Sequence, residues 1–305
     1  MIDINRLAPF YVIFAASLWG VDGIILRPAL YNLPVPLVVF IESSIVAILL
    51  TPFYRKQWLN IKNLQRKDWL AFIGVAAFGG AIGTMTITKA LFYVNFVNLS
   101  IVILIQKLQP VFAILLASIF LRERFPAVFF FWAGIAVAGA YLMTFGINLP
   151  NLNTGDKTAL ASLFALFAAI SFALSTVLSK RALRNIDFEL ATYLRFSITV
   201  ILMLILVSFL GNLPDIIKVS KKQVLVFFLI AFTTGGPAIF LYYYGLKRIS
   251  ASVATICELS FPVTAVVLEY AVRGNLLNAV QWIGVAILFF AMVRVTRIKP
   301  IVHEK

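Results

Sequence analysis

The sequence predicts an all-α integral membrane protein, with ten transmembrane helices built as an inverted repeat of five plus five. Three observations predict it. The 305 residues are 62% hydrophobic and 12% charged, against roughly 45–50% and about 25% in a soluble globular chain. The apolar residues fall in runs long enough to cross a bilayer, which takes about 20 residues per helix. The chain also resembles itself when shifted by about half its length, and each half holds an odd number of runs.

Short polar breaks separate apolar runs at 8–30, 34–54, 69–93, 97–121, 127–146, 158–182, 188–210, 223–247, 251–273 and 278–296. Backbone groups in hydrocarbon must bond within their own element, and these runs are too long for barrel strands and lack alternation, so each reads as a helix. The first run leads straight into the others and reads as a span, not as a cleaved signal. The longest loops, near 55–67, 146–157 and 211–222, leave no room for an extramembrane domain.

The formal charge is +14. Its Lys and Arg residues gather at the ends of apolar runs, which points to membrane topology and away from nucleic acid. With the amino terminus in the cytoplasm, the clusters at Arg55-Lys56-Lys62, Arg66-Lys67, Arg122 and Arg124, Lys180-Arg181, Lys247-Arg248 and Arg294, Arg297, Lys299 and Lys305 all fall inside. Arg27, Lys157, Lys218, Lys221, Lys222 and Arg273 fall outside. A multi-pass protein of the cytoplasmic membrane with both termini in the cytoplasm is expected. One cysteine, Cys257, excludes an internal disulfide, and the single histidine, His303, sits in the polar tail. Neither a histidine-built metal site nor any cofactor is expected.

A shift of 153 residues aligns Phe14-Ala15-Ala16 with Phe167-Ala168-Ala169 and Ser44 with Ser197. Further on, Gly79-Gly80 meets Gly235-Gly236 at 156, Ser100 and Pro110 meet Ser252 and Pro262 at 152, and Trp132 and Gly134 meet Trp282 and Gly284 at 150. The order is conserved while the shift drifts as loop insertions dictate. Five spans per half force the second half into the bilayer in the opposite sense, an arrangement typical of secondary transporters.

The residues that carry the repeat also carry a resemblance. Ser17-Leu18-Trp19-Gly20 in the first run, Lys89-Ala90-Leu91, Gln109-Pro110, Leu121-Arg122-Glu123-Arg124 and Gly134, echoed by Tyr244-Gly245-Leu246, Ser250-Ala251-Ser252, Pro262 and Gly284, resemble the EamA module of the drug/metabolite transporter superfamily. The resemblance implies a first EamA-like five-helix repeat over residues 1–150 and a second, inverted one over 151–305. The acidic residue that the family often carries just before the fourth-span proline is Gln109 here, with Phe261 in the second copy and acidity at Glu258.

Charges inside hydrocarbon are costly and usually face a partner or a hydrated cavity. Asp22, Glu42, Lys107, Arg195 and Glu258 lie well inside their runs, whereas Lys89 and Glu269 lie near run ends, where a lysine can snorkel. Depth and repeat register suggest a Glu42–Lys107 pair toward the outside and an Arg195–Glu258 pair toward the inside, each serving substrate or fixing helix rotation. Asp22 has only Arg27 nearby, five positions on and poorly aligned on an α-helix. Trp19 stands one turn from Asp22 and is the aromatic cavity candidate. Pro110 and Pro262 should kink or unwind their helices, and Gly74, Gly79, Gly80 and Gly83 suit close helix packing.

The expected function is secondary transport of a small polar organic solute by alternating access. The resemblance implies an amino acid or related metabolite, exported more often than taken up. The solute gradient or proton exchange supplies the energy, with Asp22, Glu42 or Glu258 titrating. The partners expected are the solute, the lipid bilayer and protons. Two other classes compete: an integral-membrane enzyme on lipid-linked substrates, which lacks a clustered His, Asp or Glu site here, and a membrane scaffold or sensor, which needs no buried charge.

Overall fold

The computed structural model describes residues 4–54, 61, 64–93, 102, 105–149, 157–273 and 278–301. Arg55, Lys56, Lys62, Ser100, His303 and Lys305 lie outside the described residues, as do the side chains of Arg6, Glu269 and Arg273. Among the described residues the regular structure is helical, without strands. The α-helices are α1 (Ile4–Val21), α2 (Val35–Tyr54), α3 (Arg66–Val75), α4 (Gly83–Tyr93), α5 (Gln109–Phe120), α6 (Ala127–Phe145), α7 (Thr158–Ala182), α8 (Phe188–Phe209), α9 (Lys221–Ile230), α10 (Gly236–Arg248), α11 (Ala251–Cys257), α12 (Ser260–Arg273) and α13 (Ala279–Thr296).

Among the described residues, eight segments are long and apolar enough to cross a membrane: Leu7–Leu30, Val35–Tyr54, Arg66–Ala90, Ala127–Phe145, Ala159–Ala182, Phe188–Phe209, Lys221–Arg248 and Ala279–Thr296. Two shorter apolar helices, Gln109–Phe120 and Ala251–Ala265, fall in the fourth and ninth runs. Reciprocal capping boxes start α9 (Ser220 with Gln223) and α13 (Asn278 with Gln281), satisfying donors that a helix leaves free at its N-terminus.

Three long segments contain a π turn, at Asp22–Leu26, Ala76–Ile82 and Ala231–Gly235. The last two occupy matching places in the third and eighth runs, where the Gly-Gly pairs align. The fourth and ninth runs break at matching places too. Helix gives way to a turn at Lys107-Leu108 and at Glu258-Leu259, just before the helices that carry Pro110 and Pro262. Proline brings no N–H to close the preceding turn, so each helix restarts beyond the break.

Helix pairing maps onto itself when the halves are exchanged. α1 packs on α10 and on α12; correspondingly, α7 packs on α3 and α4 and on α5. α2 meets α8, and α6 meets α13. Small residues make these contacts, because lipid tails give helices no hydrophobic reason to associate and backbone approach has to supply the attraction. A Cβ on Gly139 would stand 2.7 Å from Leu288 N, and one on Gly80 2.9 Å from Thr199 Cγ2. Gly74 and Gly83 press on Leu178 and Phe172. Ala165, Ala168, Ala169 and Ala173 are fully buried, while Phe53, Phe131, Phe209 and Ile217 face outward. Small residues thus sit where helices approach closely, among larger buried side chains such as Phe72, Phe129 and Tyr243, and bulky apolar side chains cover the outside.

Candidate functional site

Three polar groups occupy the interior. The first forms where α1 turns into its π segment. A π turn closes i→i+5, and the Arg27 N–H indeed donates to Asp22 O. That extra residue brings position 27 round onto position 22. Arg27 Nε donates to Asp22 Oδ2 at 2.7 Å, and its Nη2 donates to Glu42 Oε2 at 3.2 Å. The expectation that Asp22 and Arg27 are misaligned holds for an α-helix and fails here because the helix is π. Asp22 is buried, yet its Oδ1 has no hydrogen-bond partner. Gly235 on the facing π turn lies against Glu42: a Cβ there would meet Glu42 Oε1 at 3.4 Å, an ordinary contact, and Ile230 O at a tight 3.1 Å.

The expected Glu42–Lys107 pair is not formed. Glu42 is taken by Arg27, which the π turn delivers to it. Lys107 sits at the break of the fourth run, 7% exposed, and its ammonium makes no hydrogen bond or ion pair with a described residue.

The second group centres on Glu258, at the break of the ninth run. Tyr242 Oη donates to Glu258 Oε1 at 2.6 Å, Thr176 Oγ1 to Oε1 at 3.3 Å and Gln109 Nε2 to Oε2 at 2.9 Å. Tyr242 stacks obliquely on Trp19, ring centroids 5.2 Å apart. One carboxylate thus gathers α5, α7 and α10, with the aromatic wall of α1 beside it. Trp19, Gln109 and Glu258 all keep partial exposure in mid-run positions.

Arg195 anchors the third group. Its Nη1 donates to Tyr243 Oη at 3.3 Å, and that hydroxyl lies 3.1 Å from Ser179 Oγ. The expected Arg195–Glu258 ion pair is not formed, because neutral donors already occupy both Glu258 oxygens. Arg195 instead stands within electrostatic reach of both Glu42 and Glu258. Gly79 lies beside it: a Cβ there would collide with Ser175 Oγ and only touch Arg195 Nη2, at 3.5 Å.

Gln109, Thr176 and Ser179 were not singled out as site residues by sequence, whereas Tyr242 and Tyr243 stand among the aromatic residues that the runs place near cavity depth. The signal for Gln109 was its place just before the fourth-run proline; hydroxyl residues inside apolar helices offered none. Lys89 is exposed and lies 5.7 Å from the Phe164 ring centroid, clear of the three groups. An apolar groove of about 360 Å³, lined by Leu7, Phe10, Tyr11, Phe14 and Leu241, shares no residue with them. Among the described residues no group of His, Cys, Asp and Glu could hold a metal.

A bundle of apolar spans around a charged, hydrogen-bonded interior defines a multi-span membrane transporter. The chain belongs to the EamA-like transporter family, whose sequence pattern matches residues 6–145 and again 159–297. It is 43% identical over 288 residues to the "Riboflavin transporter ImpX" of Fusobacterium nucleatum, covering 94% of this chain and 96% of that one. It is 23% identical to the "Uncharacterized transporter sll1164" of Synechocystis over 84% of this chain and 74% of that one. A solved protein crystal structure, 16% identical, superposes with a TM-score of 0.71 over 96% of each chain and shares the fold. The protein is accordingly a transporter and not an enzyme.

Proposed function

We propose that this transporter moves riboflavin across the cytoplasmic membrane, by alternating access of two inverted five-helix halves around the Glu258, Arg195 and Asp22–Arg27–Glu42 groups. The observation that carries the substrate is the likeness to the Fusobacterium riboflavin transporter along nearly the whole of both chains. The site chemistry suits it. Riboflavin joins a flat tricyclic ring to a polyhydroxyl chain, and the interior joins an aromatic wall, Trp19 with Tyr242, to closely spaced donors and acceptors at Glu258, Gln109 and Thr176. Ligand sites of this kind are largely apolar with a few convergent polar groups.

The inverted arrangement of ten spans is supported by the exchange symmetry of helix pairing and by matched breaks before Pro110 and Pro262. Broken helices at corresponding places of two halves point to a transporter's binding site. Both described chain ends contact the Lys/Arg-rich rim, Ala8 beside Gly245 and Ile301 through its N–H to Arg124 O, which supports cytoplasmic termini. Asp22, Glu42 and Glu258 are the groups that a coupling proton would occupy.

Flux into liposomes holding the purified protein tests the reading. Saturable riboflavin movement is expected, with amino acids competing poorly. Movement of an amino acid or another metabolite with no riboflavin flux would overturn the substrate. Loading riboflavin on either side measures direction, export being the one that the family resemblance favours, and an imposed pH gradient tests proton coupling.

A further inference from the structure

The Lys/Arg-rich rim is fastened by a residue that reaches from the first half into the second. α5 ends at Phe120, and Arg122 takes a left-handed φ of 57°. That turn hands Glu123 to the start of α11. Glu123 Oε1 accepts from Ala251 N at 2.8 Å, and Oε2 accepts from Ser252 N at 3.0 Å and from Ser252 Oγ at 2.7 Å.

α11 already carries its own N-cap, since Ser250 Oγ accepts from Val253 N at 3.2 Å. A helix whose own residue caps it does not need a carboxylate from the other half merely to start. What Glu123 adds is a bond across the halves. α11 is a strut of seven residues, all buried, and the residue that ends it is Glu258. The far end of the strut therefore lies in the interior site, about 10 Å away at 1.5 Å per residue.

Toward the opposite side, the described cross-half hydrogen bonds are Gln106 Nε2 to Ala165 O at 3.0 Å, and Gln223 Nε2 to Ala29 O and Gln281 Nε2 to Thr144 O, both at 3.3 Å; all three are neutral. Charge-assisted bonds are shorter and stronger than neutral ones. Among the described residues, the charge-assisted cross-half hydrogen bonds of the two rims lie on the cationic side, those of Glu123 and that of Asn185 Nδ2 to Asp68 Oδ1 at 2.9 Å among them.

We propose that Glu123 is a latch for transport: its carboxylate holds the cationic rim shut, and release of α11 from Glu123 is the event that opens that rim and displaces Glu258. The latch rests on the alternating-access reading above. It does not depend on which solute is carried.

The chain supplies its own reporter. Cys257, the single cysteine, is fully buried on α11 beside Glu258. In detergent or liposomes, Glu123→Gln should raise the rate at which a small maleimide labels Cys257 by about fivefold or more, because loss of the charged bonds shifts the population toward the open rim. Glu123→Asp should return part of the protection. Ser250→Ala, which removes the helix's own cap and leaves the cross-half bonds, should raise labelling less than Glu123→Gln does.

Wild-type labelling in folded Glu123→Gln overturns the latch, and so does a larger effect from Ser250→Ala. Should Glu123→Gln not fold, Ser252→Ala removes only the 2.7 Å hydroxyl bond and is expected to raise labelling about twofold; unchanged labelling there is equally fatal. Labelling needs no substrate. A wild type that moves no riboflavin while labelling responds to Glu123 would sink the substrate and spare the latch; riboflavin flux with unresponsive labelling would do the reverse.

Discussion

The two broken helices occupy corresponding places in the two halves and have come to hold opposite charges in opposite conditions. At the ninth-run break, Glu258 receives three hydrogen bonds, from Gln109, Thr176 and Tyr242. At the fourth-run break, Lys107 is buried and its ammonium has no described partner. One fold element therefore serves two ends. A satisfied carboxylate ties the helices of both halves together, whereas a buried cation without a partner costs stability and persists where something outside the protein can meet it.

The largest effect is expected where the contrast is removed at its satisfied end. Glu258→Gln keeps the shape but turns an all-acceptor group into one with an N–H₂, which faces the Gln109 amide and two hydroxyls. Hydrogen bonds to a charged group contribute about 1.5–3 kcal/mol each, so riboflavin flux should fall about 100-fold or more. Flux per folded molecule measures this. Flux within about threefold of wild type would reduce Glu258 to a helix tie.

Next comes the triad that joins the first two spans. Arg27→Met leaves Asp22 and Glu42 with no cation between them; breaking a fully buried ion pair costs about 3–5 kcal/mol, and the Arg27 side chain, 31% exposed, sets the expected loss below that range. Thermal unfolding in detergent should show a marked loss of stability, which Asp22→Asn in the same chain should partly restore. If the single variant is as stable as wild type, the triad is not a structural clamp.

The residues of this triad show where sequence stops being informative. Run lengths and the repeat located the helices because apolar periodicity and duplication are written along the chain. Pro110 stands two residues beyond the Lys107-Leu108 break and Pro262 three beyond the Glu258-Leu259 break. Partners were another matter. The Arg27–Asp22 contact depends on a π turn at Asp22–Leu26, and no local residue announces a change from 3.6 residues per turn. Counting from the run ends gave Glu42 and Lys107 a similar expected depth, but depth does not fix azimuth around the bundle, so the pairing drawn from it failed. The Glu258 network failed to appear for a related reason: Gln109 and Thr176 are neutral, and a search for buried charge passes over the neutral donors that satisfy it.

Lys107 gives the smaller and sharper test, since its two readouts should move in opposite directions. Lys107→Met removes a buried cation with no described partner and keeps its bulk, so the folded protein should gain about 1 kcal/mol or more of stability. Riboflavin flux should fall about tenfold if the ammonium meets the solute, a change equivalent to about 1.4 kcal/mol. A variant that is both more stable and fully active would mark Lys107 as a relic of the duplication.

The smallest effect is expected at a pair that sequence treats as equal. Gly134 and Gly284 align in the two halves, yet a Cβ on Gly284 would strike the backbone of α6 at Met143 and stand 2.9 Å from Gly139 O, whereas nothing lies within 4 Å of one on Gly134. Gly284 on α13 and Gly139 on α6 let these two helices touch, whereas Gly134, the residue that aligns with Gly284, takes no part in that contact. Gly134→Ala should therefore leave flux unchanged and stability equal or raised by less than about 1 kcal/mol, the intrinsic helix preference of alanine over glycine. A loss of flux or folding from that single methyl would mean that Gly134 faces a surface absent from the isolated chain, and the asymmetry between the halves would then end at the protein's own boundary.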